Sequence, residues 1–120
     1  MEMKQLPESQ LSMFVDLHGH SAKRNVFMYG MDSVGSLQSR ILPKLLSKQT
    51  EMFRYYACSF KLSKDKRTTA RGCFMPFFKI CYTVESSVSC YYDTRRNVVF
   101  DKSGWRKLGW HLSQALADYF

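Results

Sequence analysis

The sequence of 120 residues lacks the features of several specialised protein classes. No apolar run is longer than five residues, far short of the ~20 that a membrane-spanning helix needs. Residues 1–11 lack the apolar centre of a secretion signal, and none of the four cysteines forms a C-x-x-C pair. We therefore expect a soluble protein of the cytoplasm or nucleus with free thiols, rather than a disulfide framework or a zinc knuckle.

Acidic residues are in the minority, with 10 Asp and Glu against 18 Lys and Arg, which gives a formal net charge of +8. The basic residues form small clusters along the chain, at residues 23–24, 64–67 and 95–96, instead of a single tail. From this distribution alone, the basic residues could bind nucleic acid, bind an acidic protein, or simply be solvated at the surface.

Apolar residues are plentiful enough for one folded unit. The chain is 45% hydrophobic and 15% aromatic, which excludes compositional disorder, and it contains no repeats and no low-complexity linker. Residues 1–120 are therefore predicted to form one domain or a continuous portion of one.

Two short apolar segments near the start, residues 12–17 and 25–29, read as buried strands. Two apolar and aromatic runs, at residues 73–78 and 80–84, are also typical of central strands. We expect the 12–17 and 80–85 segments to lie near the centre of a mixed sheet.

Two segments have helical periodicity. Residues 34–48 carry apolar residues at helical spacing, namely Leu37, Ile41, Leu45 and Leu46, and Pro43 within them predicts a kink or a later helix start. The last segment carries a leucine stripe at Leu108, Leu112 and Leu116, with Ser103 as a plausible N-cap. Strands that alternate with helices predict an α/β fold.

The candidate chemistry lies in two histidines and one glutamate. His18 and His20 lie at the end of a predicted strand, where we expect the two imidazoles to face apart, so that only one meets a given metal ion. Glu85 closes an apolar run, and a carboxylate there is costly unless it is paired or functional. From the residues alone, a hydrogen-bonded turn histidine and a salt-bridged glutamate remain the simpler interpretations.

These residues lie in motifs that resemble a known family. The run DLHGHSAKRNVFMYG (residues 16–30) resembles a signature of the cytosolic carboxypeptidases, the tubulin-deglutamylase-like branch of the zinc carboxypeptidases. The resemblance continues in the same order through ILPKLL, the F-x-x-x-x-C-x-F element at residues 53–60, KDKR, TTARG, YTVESS and the leucine-rich final helix.

The resemblance implies a function and a role for each candidate residue. The expected activity is a zinc metallocarboxypeptidase of the cytoplasm that removes glutamate from C-termini or polyglutamate side chains. His18 corresponds to a zinc ligand, His20 to a residue of the pocket wall, and Glu85 to the general base. Arg71 in TTARG corresponds to the basic residue that binds the substrate's glutamate, with a surface strand cap as the rival interpretation. The resemblance implies that the partners are acidic protein tails such as that of polyglutamylated tubulin. It favours these tails over nucleic acid and implies no membrane partner.

The sequence also departs from this family. The other two zinc ligands of the family come from an upstream H-x-x-E motif, which these residues lack. The chain therefore resembles the C-terminal portion of a catalytic domain, with a partial zinc carboxypeptidase-like α/β fold and a mixed, mainly parallel sheet flanked by helices. A fragment, a truncated paralogue, an inactive pseudoenzyme and a basic module that binds acidic tails or nucleic acid without metal all remain open.

Overall fold

The computed structural model of the chain describes residues 12–32, 35–61 and 69–120. In chain order these residues form β1 (Met13–His20), β2 (Val26–Tyr29), α1 (Ile41–Gln49), α2 (Ala70–Phe74), β3 (Ile80–Ser87), β4 (Cys90–Asp93), β5 (Arg96–Val99) and α3 (Lys102–Tyr119). Residues 1–11, residue 34 of the predicted helix and the KDKR cluster at residues 64–67 lie outside the described residues. None of the described helices is long and apolar enough to cross a membrane.

The sheet is mixed, as predicted, and has β3 at its centre. The parallel ladder between β1 and β3 joins eight residue pairs, and the antiparallel ladder between β2 and β3 joins four. Strands β4 and β5 form a separate antiparallel hairpin. The expectation of a central position is confirmed for β3 but wrong for β1, since the described residues give β1 a pairing partner on one side only.

The two faces of this sheet differ in chemistry because successive strand residues point to opposite sides. One face is apolar and belongs to the core, to which the sheet contributes Met13, Val15, Val26, Met28, Ile80, Tyr82 and Val84. Helices α1 and α3 pack against each other and supply further core residues, namely Leu42, Leu46, Leu108, Leu112 and Ala115. The opposite face carries Asp16, His18, Thr83 and Glu85, with Phe14 and Phe27 on the same side, so the core and the polar site share a single sheet.

The later helix start implied by Pro43 is confirmed. A 3-10 turn at Gln38–Arg40 precedes α1, which begins at Ile41 and has Pro43 as its third residue. The backbone N–H groups of the first helical turn have no intrahelical acceptor, so proline costs no helix hydrogen bond at this position.

The strand predicted at residues 73–78 is wrong. Thr69 caps α2, because its side chain accepts a hydrogen bond from the backbone N–H of Gly72 at 3.3 Å. The aromatic side chains of the run pack on β1, where the ring centroids of Phe74 and Phe78 lie 4.5 and 5.6 Å from that of Phe14. The aromatic residues of the run therefore pack on the sheet and do not form a strand of it.

The predicted N-cap of the last helix is also wrong. Helix α3 begins at Lys102, and the side chain of Asp101 accepts a hydrogen bond from the backbone N–H of Gly104 at 2.8 Å. Ser103 already lies inside the helix, so its hydroxyl is not at the capping position.

Replacement of this cap gives a direct test of the fold. Asp101→Ala should lower the free energy of unfolding by about 1 kcal/mol, since it removes the capping acceptor. Ser103→Ala is the matched control and should leave that free energy unchanged or slightly raised, because alanine has the higher helix propensity. Urea unfolding followed by circular dichroism measures both values, and an equal loss in the two variants would contradict the assignment of the cap.

Candidate active site

The parallel ladder places His18 directly opposite Glu85 at the ends of β1 and β3. Their side chains lie on the polar face of the sheet, with Nδ1 of His18 at 3.5 Å from Oε2 of Glu85. The same nitrogen lies 3.0 Å from the carbonyl oxygen of Gly19. The imidazole is 63% exposed whereas the carboxylate side chain is 11% exposed, so an accessible imidazole stands beside a largely enclosed acid.

Glu85 is enclosed, but its hydrogen bonding among the described residues is incomplete. It lies on the central strand and is buried, and its Oε2 atom has no hydrogen-bond partner among the described residues. A buried carboxylate with an unused acceptor costs free energy unless it has a task or a further partner. Its contact with His18 is longer than a hydrogen bond, which leaves Oε2 able to accept one.

Arg71 is the second buried charge on this side of the sheet, and it lies in α2. It is 1% exposed, and its Nη1 donates a hydrogen bond to the carbonyl oxygen of Gly30 at 2.5 Å. Its Nε is buried without a partner, and no carboxylate of the described residues lies within ion-pair distance. Burial lowers the pKa of the guanidinium, while Cys81 and Tyr29 act in the opposite direction. The rival interpretation of Arg71 as a surface cap is wrong, because the side chain is enclosed.

The three residues share one cavity. It has a volume of about 280 Å³ and is lined by Asp16, His18, Tyr29, Thr69, Ala70, Arg71, Thr83 and Glu85. Imidazole, carboxylate and guanidinium are thus brought to one space by β1, β3 and α2. The catalytic and binding roles of the three residues stay predictions.

His20 lies apart from this cavity. Its Nδ1 accepts hydrogen bonds from the backbone N–H groups of Ala22 and Lys23 at 3.1 and 3.0 Å, and its ring packs edge-on against Phe27 at 5.2 Å. The expectation that the two histidines face apart is wrong, because residues two apart on a strand share a face. They differ in their partners, since His18 meets Glu85 and His20 holds the turn after β1.

Sequence reasoning missed several polar residues of the cavity, among them Asp16 and Thr83, which are partners in the parallel ladder. Each lies two residues before a candidate, Asp16 before His18 and Thr83 before Glu85. The two-residue period of a strand was the signal that could have found them.

The donor set supplies only part of a zinc site. Among the described residues no group of three or more His, Cys, Asp or Glu side chains is placed to hold a metal ion. A catalytic zinc takes three protein ligands and leaves a fourth position for water. The imidazole of His18 fits one ligand position, and the described residues do not provide the rest of the set.

Comparisons with known proteins relate nearly the whole chain to carboxypeptidases. No protein-family model matches the sequence. Cytosolic carboxypeptidase 2 of Xenopus tropicalis is 33% identical over 126 residues, which cover 99% of this chain and 13% of that protein. Cytosolic carboxypeptidase 6 of Homo sapiens is 31% identical over 128 residues, covering 100% of this chain and 25% of that protein. The chain thus spans a quarter or less of the length of these two relatives.

One solved structure extends the likeness to the fold. The crystal structure of a metallo-carboxypeptidase from Burkholderia cenocepacia matches with a TM-score of 0.71 at 17% sequence identity. The match covers 90% of this chain and 30% of that enzyme. The α/β architecture described above is therefore that of part of a metallocarboxypeptidase fold, as the motifs predicted.

The incomplete donor set predicts weak metal binding. After dialysis against a mild chelator, the 120-residue chain should retain far less than one zinc per molecule, because one imidazole does not form a three-ligand shell. Elemental analysis beside the His18→Ala variant measures the zinc content, with the variant giving the level of nonspecific binding. One zinc per chain in the unmodified protein, lost in the variant, would contradict this prediction.

Proposed function

Because the chain is a sequence relative of the cytosolic carboxypeptidases, as its motifs predicted, we propose that it contributes the general base and the specificity pocket of a metallocarboxypeptidase. The reaction is hydrolysis of a C-terminal or side-chain-linked glutamate from an acidic protein tail. The observation that supports this most strongly is the juxtaposition of His18 and Glu85, at 3.5 Å, in the cavity that Arg71 also lines.

His18 acts in this proposal as one ligand of a zinc ion whose other ligands lie outside the described residues. When bound, the ion would supply Lewis-acid chemistry, by which the scissile carbonyl would be polarised and the pKa of the attacking water lowered. Glu85 accepts the proton of that water and passes it to the amine of the leaving residue. Its Oε2 faces His18 and has no hydrogen-bond partner among the described residues, so it is free to hold the proton.

Arg71 selects an acidic side chain. Its guanidinium is buried, and its Nε has no hydrogen-bond partner in the described part of the chain. A carboxylate that enters the cavity would form a charge-assisted hydrogen bond and relieve the cost of the unpaired cation. A neutral side chain would leave that cost in place, so the pocket favours glutamate. The net charge of +8 would also attract polyanionic tails such as that of polyglutamylated tubulin.

A second candidate function is binding of acidic tails without hydrolysis. It is favoured by the absence of a complete metal-ligand group among the described residues. In this case Arg71 would still bind a carboxylate, but Glu85 would have no catalytic task. A variant of Glu85 therefore separates the two functions.

The general-base role is tested in a chimera. The matched segment of human cytosolic carboxypeptidase 6, about a quarter of that protein, is replaced by this chain, and the remaining residues of the relative are kept. Glu85→Gln should lower kcat at least about 100-fold, because the amide cannot accept the proton of the water. Zinc content should stay unchanged, since Glu85 is not proposed as a ligand. Release of glutamate from a polyglutamylated peptide measures the activity.

The matched control is Glu51→Gln. Glu51 is exposed, and its Oε2 accepts a hydrogen bond from the backbone N–H of Thr94 at 2.9 Å. The amide oxygen can keep this bond, so activity should be unchanged. An active Glu85→Gln chimera would remove Glu85 from the chemistry. A chimera that binds zinc but is inactive with Glu85 intact would favour the binding function.

The specificity role of Arg71 is tested in the same chimera with peptides ending in glutamate and in leucine. Arg71→Met keeps an apolar side chain of similar length but removes the cation. It should lower kcat/KM for the glutamate-ended peptide at least about tenfold, because the guanidinium that binds the glutamate carboxylate is lost. The kcat/KM for the leucine-ended peptide should be unchanged or raised, because leucine leaves that guanidinium without a carboxylate partner in the unmodified pocket.

The control for Arg71 is Arg54→Met, because Arg54 is an exposed arginine outside the cavity. It should leave the ratio of the two kcat/KM values unchanged. An equal fall on both peptides in Arg71→Met would assign the residue to support of the fold and not to selection of substrate.

A further inference from the structure

We propose that a groove on the outer side of α1 binds an acidic polypeptide segment that carries a large aliphatic side chain. This α1 groove has a volume of about 480 Å³, and the described residues that line it are Leu37, Arg40, Ile41, Lys44, Leu45, Lys48 and Tyr55. It shares no residue with the cavity of His18, Glu85 and Arg71, so the proposal stands apart from the proposed function.

Helix α1 is apolar on two sides, although only one side faces the core. Leu42 and Leu46 point inward and are fully buried. Leu37, which precedes the 3-10 turn before α1, and Ile41, the first residue of α1, are instead exposed, with exposed fractions of 65% and 46%. A surface helix needs one apolar stripe for folding. Leu45 is partly buried against the core, but the exposure of Leu37 and Ile41 is not explained by packing on the core. Contiguous exposed apolar residues with a polar rim are typical of an interaction site.

The rim of the α1 groove is basic. It carries Arg40, Lys44 and Lys48, and none of the described lining residues is acidic. Arg40 is already paired with Asp32 through an Nη2 to Oδ2 contact of 2.6 Å. No carboxylate of the described residues lies within ion-pair distance of Lys44 or Lys48. The two lysines are therefore the charges that a carboxylate-bearing partner would neutralise.

The apolar floor favours a polypeptide over nucleic acid. Single-stranded nucleic acid binds where bases stack on aromatic faces, with basic residues along the backbone. The floor of the groove is aliphatic, and the ring of Tyr55 is covered by the ammonium group of Lys44, whose Nζ lies 4.8 Å from the ring centroid. Carboxylates beside a leucine-sized side chain match both the rim and the floor.

The probe is a fluorescein-labelled peptide that repeats the triplet glutamate-glutamate-leucine, titrated with the 120-residue chain and followed by fluorescence anisotropy. Comparison probes are an all-glutamate peptide, the same triplet with lysine for glutamate, single-stranded DNA and phosphatidylserine vesicles. The leucine-containing acidic peptide should bind at least about tenfold more tightly than any comparison probe. Preferential binding of DNA or vesicles, or equal binding of the all-glutamate peptide, would overturn the proposal.

Charge reversal separates the groove from general attraction. Lys44→Glu/Lys48→Glu should weaken binding at least about tenfold, whereas the exposed pair Lys102→Glu/Lys107→Glu changes the net charge equally and should weaken it less than about twofold. Equal weakening by both pairs would overturn the assigned surface. Leu37→Asn/Ile41→Asn should weaken binding of the leucine-containing peptide alone.

The unmodified chain provides a test that does not depend on the folding of variants. Backbone amide resonances of residues 37–42 and 44–48 and of Tyr55 should shift on addition of the leucine-containing peptide. Shifts confined to other parts of the chain would overturn the proposal even if the peptide binds.

Discussion

Parallel pairing of β1 with β3 is the constraint on which the rest of the structure depends. Its register places Leu17 opposite Val84 and, one residue later, His18 opposite Glu85. Because side chains alternate, Val84 joins the core while Glu85 joins the polar face. A slip of one residue would send Glu85 into the core and Val84 into the cavity, so stability and the candidate site select the same register.

The candidate site is unusual because it encloses charged groups whose hydrogen bonding is incomplete among the described residues. Glu85 and Arg71 are 8% and 1% exposed, and each has a buried polar atom without a hydrogen-bond partner among the described residues. On the core-facing side of the sheet, by contrast, the buried hydroxyl of Tyr82 has a hydrogen-bond partner. It donates to the carbonyl oxygen of Ser39 at 2.6 Å. Buried charges beside a cavity whose hydrogen bonding is incomplete are typical of sites that bind a ligand or carry out chemistry.

Much of the fold could be predicted where local periodicity and burial agree. Helix α3 follows this rule with its buried stripe of Leu108, Leu112 and Ala115, and strand β3 follows it because a continuous apolar run at residues 80–84 is buried on both faces of the sheet. The run at residues 73–78 does not, since its packing on Phe14 depends on tertiary contacts that no local pattern encodes. Family motifs predicted the candidate residues, but the enclosure of Arg71 could not be predicted, because its hydrogen-bond partner Gly30 lies 41 residues away.

The central claim is that the polar face of β1 and β3 forms half of a metallocarboxypeptidase cleft. The most direct measurement is anomalous X-ray diffraction, at the zinc absorption edge, from crystals of the chimera with human cytosolic carboxypeptidase 6. The account predicts an anomalous peak bonded to the imidazole of His18, in the cavity that Glu85 and Arg71 line. A zinc peak at other residues, with His18 unligated, would contradict it.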